Sequence, residues 1–317
     1  MKKLVLSLAA GVAVATALSG CSNTDTPVGA PAGSAAASQP AAAAVAPAAV
    51  DPAIKALVPG DIAAAGTING GANFQAAPMA MYETGTKTPT GAVVKLVEHA
   101  AGMMGLKVAW QQVLYPDQLP AMQAGKIVVS GSASAANADI IAKANVVGAF
   151  KNLQGILATA DKASQFETLD AVCGKKIGLG KAAAATVAIF NDIVKHCTQG
   201  GKPAPQMIGL SATADIVLAV QSGRVDGGMI PTPTVVYTAQ QSQGKLVATK
   251  ANDAIAEQID EGDEGFTIAQ NQPKLAAAFQ AAVNAMIKDG SYAKILTGFG
   301  LPQNQLVSTA TLNQATK

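Results

Sequence analysis

The sequence predicts an α/β fold with mainly parallel sheets, preceded by a disordered segment. Short apolar runs alternate with amphipathic segments of about 10–15 residues from residue 67 onward, which is typical of βαβ units. Residues 53–317 are also enough for one large domain or two lobes. Residues 1–52 differ from this body in composition, so we treat them separately.

The chain begins with the features of an export signal. Two lysines precede an apolar run from Leu4 to Leu18, and this run of about 15 residues is shorter than the roughly 20 that a spanning helix needs. Small residues at 19 and 20 precede Cys21, which resembles a bacterial lipobox; an ordinary signal peptide with a chance cysteine is the alternative. We therefore expect a lipoprotein signal peptide at 1–20. Lipidation of Cys21 would place the protein in the periplasm or on the outer face of the cell membrane.

The next segment has the composition of a tether. Residues 22–52 are mainly Ala, Pro, Ser, Gly and Thr, with two charged residues, no aromatic residue and no apolar periodicity. Such a chain buries too little apolar surface to offset its ordering entropy. We expect a disordered, lipid-anchored tether at 21–54 with a reach of roughly 30 Å.

The elements of the body are predicted from periodicity and from their end signals. Apolar residues three and four apart mark the helices, and glycines at 105 and 125 end the first two of them. The predicted strands lie at 67–72, 107–112, 126–130, 176–179 and 225–230. The predicted helices lie at 91–104, 116–124, 182–195, 213–221 and 274–288. In such sheets ligands bind at the carboxyl ends of strands.

Charge and motif content exclude several classes of function. The 22 basic and 20 acidic residues give a net charge of +2, and no basic block is interleaved with aromatic residues, so we expect no nucleic-acid partner. The stretch 178–183 matches a dinucleotide-binding glycine pattern, but no acid follows about 20 residues later. We therefore expect no cofactor.

The two remaining cysteines predict a disulfide. An exported chain with an even number of cysteines after lipidation favours a bond between Cys173 and Cys197; two buried free thiols are the alternative. A metal site is not expected, because only His99 and scattered carboxylates could complete one beside His196 and Cys197.

Six segments in chain order resemble the amino-acid-type solute-binding proteins, family 3, of bacterial ATP-binding cassette (ABC) importers. They are ALVPGDI at 56–62, APM at 77–79, LPAMQAGK at 119–126, CGKK at 173–176 with CTQGGKP at 197–203, QSGRVD at 221–226 and KDGSYAKI at 288–295. The cysteine-containing segments resemble a disulfide-bearing branch of this family.

The resemblance implies a two-lobe periplasmic-binding-protein fold of type II with a hinge. Lobe 1 would comprise 55–152 with 262–317, lobe 2 would comprise 153–261, and the hinge would lie near 150–156 and 261–266. It also implies a monomer that captures a small solute between the lobes and delivers it to an ABC permease in the cytoplasmic membrane.

The sequence departs from the family at the residues that hold an α-amino acid. Members clamp the carboxylate with an arginine, but the single arginine of this chain is Arg224, and the clamp position falls on Asp139 or Ile140. The family's glycine–threonine pair becomes Ala182–Ala183, and its lobe-2 acid becomes Pro231, followed by Thr232. A ligand held as a zwitterion is therefore not expected.

The remaining cleft positions suggest a different ligand chemistry. Aromatic and methionine side chains could form an apolar wall, although about half of them could instead be core. Serines supply neutral hydrogen bonds, an acid could face a cation, and a lysine at a helix N-terminus could meet an anion or be an exposed loop residue. The candidate ligand-binding residues are Phe74, Met79, Tyr115, Ser132, Ser134, Asp139, Lys181, Ala182, Ala183 and Thr232.

Two alternative functions remain open at the level of sequence. A non-transporting sensory or scaffold member would explain a cleft without its usual polar groups. A dehydratase or lyase on this fold is the other alternative, but such relatives need an arginine that grips carboxylates. We find no nucleophile elbow, zinc spacing or paired carboxylates in the predicted cleft, so we expect a binding protein with no catalytic residues.

Overall fold

The computed structural model describes residues 46–151, 153–181, 183–258 and 262–315. The strands are β1 Thr67–Ala72, β2 Gln75–Ala76, β3 Ala80–Tyr82, β4 Pro89–Thr90, β5 Lys107–Gln112, β6 Val129–Ser130, β7 Ser134–Ala135, β8 Ala144–Lys151, β9 Gln154–Thr159, β10 Lys176–Gly180, β11 Gln206–Leu210, β12 Gly227–Pro231, β13 Leu246–Ala248, β14 Asp263–Ala269 and β15 Leu306–Leu312. The α-helices are α1 Pro52–Lys55, α2 Gly60–Ala65, α3 Ala92–Met103, α4 Tyr115–Gln123, α5 Ala138–Ile141, α6 Ala184–Gln199, α7 Thr213–Gln221, α8 Thr232–Gln241, α9 Ala251–Gln258, α10 Pro273–Asp289 and α11 Ser291–Gly298. Three short 3₁₀ turns lie at Ala160–Gln165, Leu169–Val172 and Gln303–Gln305.

Two mixed sheets organise the body. The first has the order β15-β8-β14-β6-β1-β5, with β7 paired to β14, and the second has the order β11-β10-β12-β9-β13. Parallel pairing is confined to β6-β1-β5 and to β11-β10-β12, and the other pairs of both sheets are antiparallel. The sheets are therefore mixed rather than mainly parallel. Every antiparallel pair in them includes β8, β9 or β14, and the sequence pattern predicted none of these three strands.

The chain passes between the two sheets twice. It leaves the first sheet after Lys151 and enters the second at Gln154, and it returns between Gln258 and Asp263. Strands β9 to β13 thus belong to the second sheet, whereas β1, β5 to β8, β14 and β15 belong to the first.

Each sheet has its own apolar core. Helices α3, α10 and α11 cover the first sheet, where the rings of Phe266 and Phe279 meet edge to face at 5.5 Å between centroids. In the second sheet, α6 packs over Ile177 and Leu179, and α7 packs on another cluster that includes Leu157. The apolar residues of α3, α6, α7 and α10 recur at three- and four-residue spacing, which explains why these helices were predictable.

The predicted disulfide between Cys173 and Cys197 is present, and it links the end of the second 3₁₀ turn to α6. Cys197 is fully buried in the same apolar cluster as Ile177. The bond encloses a sequence separation of 24 residues, for which the chain-entropy account gives a stabilisation of about 3–4 kcal/mol.

The ordered body begins earlier than the predicted tether boundary at residue 54. Asp51 accepts hydrogen bonds from the amides of Ala53 and Ile54 and so caps α1, and its own amide donates to the Met103 carbonyl over 2.9 Å. Ile54 is buried, because this turn packs against the first core. The signal peptide predicted at 1–20 and the predicted lipidation site Cys21 lie outside the described residues.

The predicted elements agree with the structure where periodicity is strong. The strands predicted at 67–72 and 107–112 and the helix at 213–221 have the bounds of β1, β5 and α7. The strand predicted at 126–130 is reduced to β6, because the amides of Lys126 and Ile127 still bond to the Ala121 carbonyl in the turn that ends α4. Within the described residues, every helix is too short or too polar to cross a bilayer.

Candidate functional site

The parallel strands of the first sheet end together at one edge. Ala72, Gln112 and Ser130 are the last residues of β1, β5 and β6, so the loops at 73–74, 113–114 and 131–133 meet there. We refer to these loops, together with Tyr115 and Ser134, as the first edge. The carboxyl ends of parallel strands are where α/β sheets place their ligands.

A buried hydrogen-bond network organises the first edge. The Gln118 amide donates to Ser132 Oγ at 2.7 Å and to the Val113 carbonyl at 3.1 Å, and it accepts from Ser130 Oγ at 2.8 Å. Ser132 Oγ also accepts from the Asn73 amide at 3.1 Å. Ser132 is only 3% exposed and its oxygen accepts two hydrogen bonds, so its side chain is engaged within the protein.

Two of the candidate wall residues lie in the core. Phe74 is 6% exposed and its ring lies 4.6 Å from that of Tyr82, measured between centroids. Met79 is 7% exposed and belongs to the main cluster of the first sheet. Neither side chain offers much surface to a ligand, because each is packed in an apolar cluster.

Tyr115 is the candidate wall residue that keeps an open face. Tyr115 is 46% exposed, and its hydroxyl interacts with Ser134 and with the charge of Glu264. Burial of the hydroxyl end raises the pKa of Tyr115, the interaction with Ser134 lowers it, and the negative charge of Glu264 raises it. Tyr115 and Ser134, both predicted, are therefore brought together.

Glu264 completes this group and was missed by the sequence analysis. It lies in β14 opposite Ala135 of β7, so it is adjacent to Ser134 in the sheet. Burial alone raises the pKa of the Glu264 carboxyl to about 7. The acidic run DEGDE at 260–264 has the composition of a solvated turn, and no signal in it singles out one carboxylate as buried.

The second edge, at the ends of β10 and β12, carries the predicted lobe-2 residues. Lys181 is exposed, its amide donates to the Leu210 carbonyl, and Ala183 is exposed just before α6. Ala182 lies outside the described residues. Thr232 is 6% exposed and begins α8, with its amide bonded to the Leu153 carbonyl over 2.8 Å.

Thr232 lines a small cavity. This cavity has a volume of about 230 Å³, and Thr232, Asn252, Lys250 and Pro302 line it with seven further residues. Asn252 Oδ1 accepts from the Ile156 amide at 2.6 Å and from Thr249 Oγ1 at 3.2 Å, which ties the cavity wall to β9.

Asp139, at the predicted carboxylate-clamp position, and Arg224, the single arginine of the chain, both lie on the surface. Asp139 is exposed in the first turn of α5, where the Asn137 side chain caps the helix by accepting from the Ile140 amide. Arg224 is exposed; it precedes β12, at the amino end of that strand, and lines a groove along α7 with Asp215 and Leu218. The described residues contain no group of three or more His, Cys, Asp or Glu able to hold a metal ion.

Comparison with known proteins identifies relatives of the whole body. Residues 68–301 match the family of bacterial extracellular solute-binding proteins, family 3. The arginine-binding protein ArgT of Corynebacterium glutamicum is 24% identical over 267 residues, which cover 83% of each chain.

Solved structures share the fold. The amino acid ABC transporter substrate-binding protein AbpA of Streptococcus pneumoniae, bound to L-arginine, superposes with a TM-score of 0.58 at 14% identity, over 75% of this chain and 97% of that one. An ancestral arginine-binding protein bound to arginine gives 0.55 at 18% identity, over 74% and 99%. An ancestral amino acid-binding protein described as a precursor of cyclohexadienyl dehydratase gives 0.54 at 19% identity, over 75% and 97%.

Proposed function

Because this chain belongs to the bacterial extracellular solute-binding proteins of family 3, we propose that it captures a small solute between its two lobes and delivers it to an ABC permease. We assign lobe 1 to 55–152 with 262–317 and lobe 2 to 153–261. The two passages of the chain between the sheets, at 151–154 and 258–263, support this division. Closure of the lobes on a solute would present one conformation to the permease.

The solute is not an α-amino acid held by its zwitterion. The position of Arg224 carries this part of the proposal: the single arginine of the chain precedes β12, whereas the candidate site lies where strands end. A lysine cannot reproduce the planar two-bonded grip of a guanidinium on a carboxylate. The relatives named for arginine make arginine the first amino acid to test.

At the first edge we assign solute contacts to Tyr115 and Ser134. On lobe 2 we assign them to Lys181, Ala182 and Ala183, which precede the free amides at the start of α6, and to Thr232 at the start of α8. Asp139 remains a proposed contact from the rim, whereas Phe74, Met79 and Ser132 would act by shaping the loops behind it.

A thermal-shift screen across solute classes tests the proposal, followed by small-angle scattering with each hit. A solute at 100 times its dissociation constant adds roughly 2.7 kcal/mol to stability, so a true ligand raises the melting temperature and reduces the radius of gyration. A protein that responds to no class would instead support the sensory or scaffold alternative. Consumption of a carboxylate substrate would support the lyase.

We propose in addition that Cys21 carries the lipid anchor after removal of residues 1–20. The Cys21→Ala variant should leave the membrane fraction when expressed in a bacterial host, because a lipid chain supplies the attachment. Wild-type protein without lipid mass, or a variant that still pellets with membranes, would contradict this assignment.

A further inference from the structure

Two consecutive acids begin β14, and their surroundings differ. The Asp263 carboxylate forms an ion pair with Lys151 Nζ at 3.0 Å and accepts from Thr311 Oγ1 at 3.1 Å. The Glu264 carboxylate accepts no hydrogen bond and forms no ion pair among the described residues, although it is partly buried beside Tyr115 and Ser134. This half-buried carboxylate has no ionic partner among the described residues and lies near the exposed ring of Tyr115, so its charge is available to a group that arrives with a ligand.

We propose that Glu264 recognises a positive group on the solute, and that the solute is a small organic cation, an amine or guanidinium compound without an α-carboxylate. This inference rests on the proposed function and specifies the ligand of the same site. It fits the first edge in two further respects. The exposed ring of Tyr115 can lie against a cation, and no guanidinium is available there for a carboxylate.

The position of Glu264 would couple recognition to lobe closure. Glu264 lies one residue after Asp263, where the chain has just returned from the second sheet, and it pairs with β7 and β8 of the first sheet. A cation bound there contacts the strand that forms one side of the hinge. Cation binding would therefore favour one relative orientation of the lobes, because it involves a strand next to the hinge.

The charges around Glu264 make the proposal testable by pH. From α4 the titratable neighbour is Tyr115. The residues opposite Glu264 in β7 and β8 are the uncharged Ala135 and Phe150, and on β14 itself Asp263 is engaged by Lys151 of β8. With its pKa at about 7, the carboxyl is partly protonated near neutrality in the free protein. A bound cation requires the ionised form, so affinity should rise with pH and level off above about pH 7. It should be about tenfold weaker at pH 6 than at pH 8.

The experiment uses calorimetry with arginine and agmatine, which differ by one carboxylate, and with a panel of putrescine, choline, neutral sugars and carboxylic acids. We expect agmatine or another cation of the panel to bind more tightly than arginine, with the pH dependence given above. Glu264→Gln should weaken cation binding at pH 8 by roughly 30-fold or more and abolish the pH dependence. Asp117→Asn removes an exposed acid from α4 near Tyr115 and should change affinity less than about threefold.

Each outcome separates the two proposals. If a neutral or anionic solute binds and no cation does, or if Glu264→Gln binds the cation like the wild type, the inference is wrong while solute capture stands. If no solute of any class binds, solute capture itself fails. The pH dependence of the wild-type protein tests the inference without any variant, and circular dichroism checks that Glu264→Gln is folded.

Discussion

The two edges that end the parallel strands differ in how much chemistry they carry. The first edge contains an amide and two serines locked in a buried network, with a tyrosine and a carboxylate beside it. The second edge offers an exposed lysine, an exposed alanine and a buried threonine that lines a small cavity. Selection of a ligand would therefore depend mainly on lobe 1, and lobe 2 would act mainly as the cover that removes water.

The largest expected effect concerns the common α-amino acids. Losing one partner of a buried charged hydrogen bond costs about 2–5 kcal/mol, and two such losses of about 3 kcal/mol each weaken binding roughly 10⁴-fold. Calorimetry with the twenty amino acids should therefore find dissociation constants near about 10 mM rather than in the micromolar range. A constant below about 10 µM for any of them would show that the second edge rebuilds a zwitterion site, with Lys181 as its cation.

The disulfide lies beside the core of the second sheet. Reducing it therefore tests whether lobe 2 supplies selective contacts to the solute or only covers it. Reduction should lower the free energy of unfolding by about 3–4 kcal/mol, measured by chemical denaturation. Reduced wild-type protein keeps both sulfur atoms and isolates the cross-link, whereas the Cys197→Ala variant adds a cavity. Solute affinity at temperatures well below melting should change little. A large loss of affinity would place the selective contacts on lobe 2.

The pKa of Glu264 predicts a pH dependence of stability in the ligand-free protein. The carboxyl has a pKa of about 7 in the folded state against 4.5 for a free side chain, so between these values the folded state binds more protons than the unfolded state. Stability therefore falls as pH rises through this window, by at most about 3 kcal/mol. Glu264→Gln should flatten the curve and be the more stable protein at pH 8. Superimposable wild-type and variant profiles would mean that the carboxyl is solvated.

Gln118 tests the rigidity of the first edge with the smallest expected effect. Gln118→Ala leaves Ser130 Oγ and the Val113 carbonyl without their described amide partner and removes one of the two donors to Ser132 Oγ, which should cost about 2 kcal/mol. Gln111→Ala removes an exposed amide with one hydrogen bond, to the Lys126 carbonyl, and should cost less than about 0.5 kcal/mol. Equal melting temperatures for the two variants would show that the network is not tightly formed.

Local pattern predicted most of the parallel strands and the helices that follow them, but it missed β11 of the second sheet. Strands β1 and β5 and helix α7 were predicted with their observed bounds, because each has regular apolar spacing and a clear end signal. Strands β8 and β9 were not predicted, since Gly148 and Gly155 interrupt apolar runs that are buried on both faces and show no alternation. The mixed character of the sheets follows from these strands.

The candidate site was less accessible from sequence than the fold. Tyr115 and Ser134 were identified by resemblance, and the structure brings them together. Gln118 was not singled out, because a glutamine inside an amphipathic helix has the composition of an exposed face, and only the packed loops show that it is buried. Glu264 depends on long-range pairing of β14 with β7 and β8, which no local spacing encodes.

The docking of the N-terminal segment has a mechanical consequence. The amide of Asp51 is bonded to the last residue of α3, and Ala48 packs against the same core. This helix end leads directly into the amino end of β5, opposite the edge where the strands finish. A force transmitted through a tether upstream of residue 46 would act on the turn at Asp51 and on α3. It would not act first on the crossings between the two sheets. The N-terminal segment thus docks near the amino ends of the parallel strands, away from the first edge.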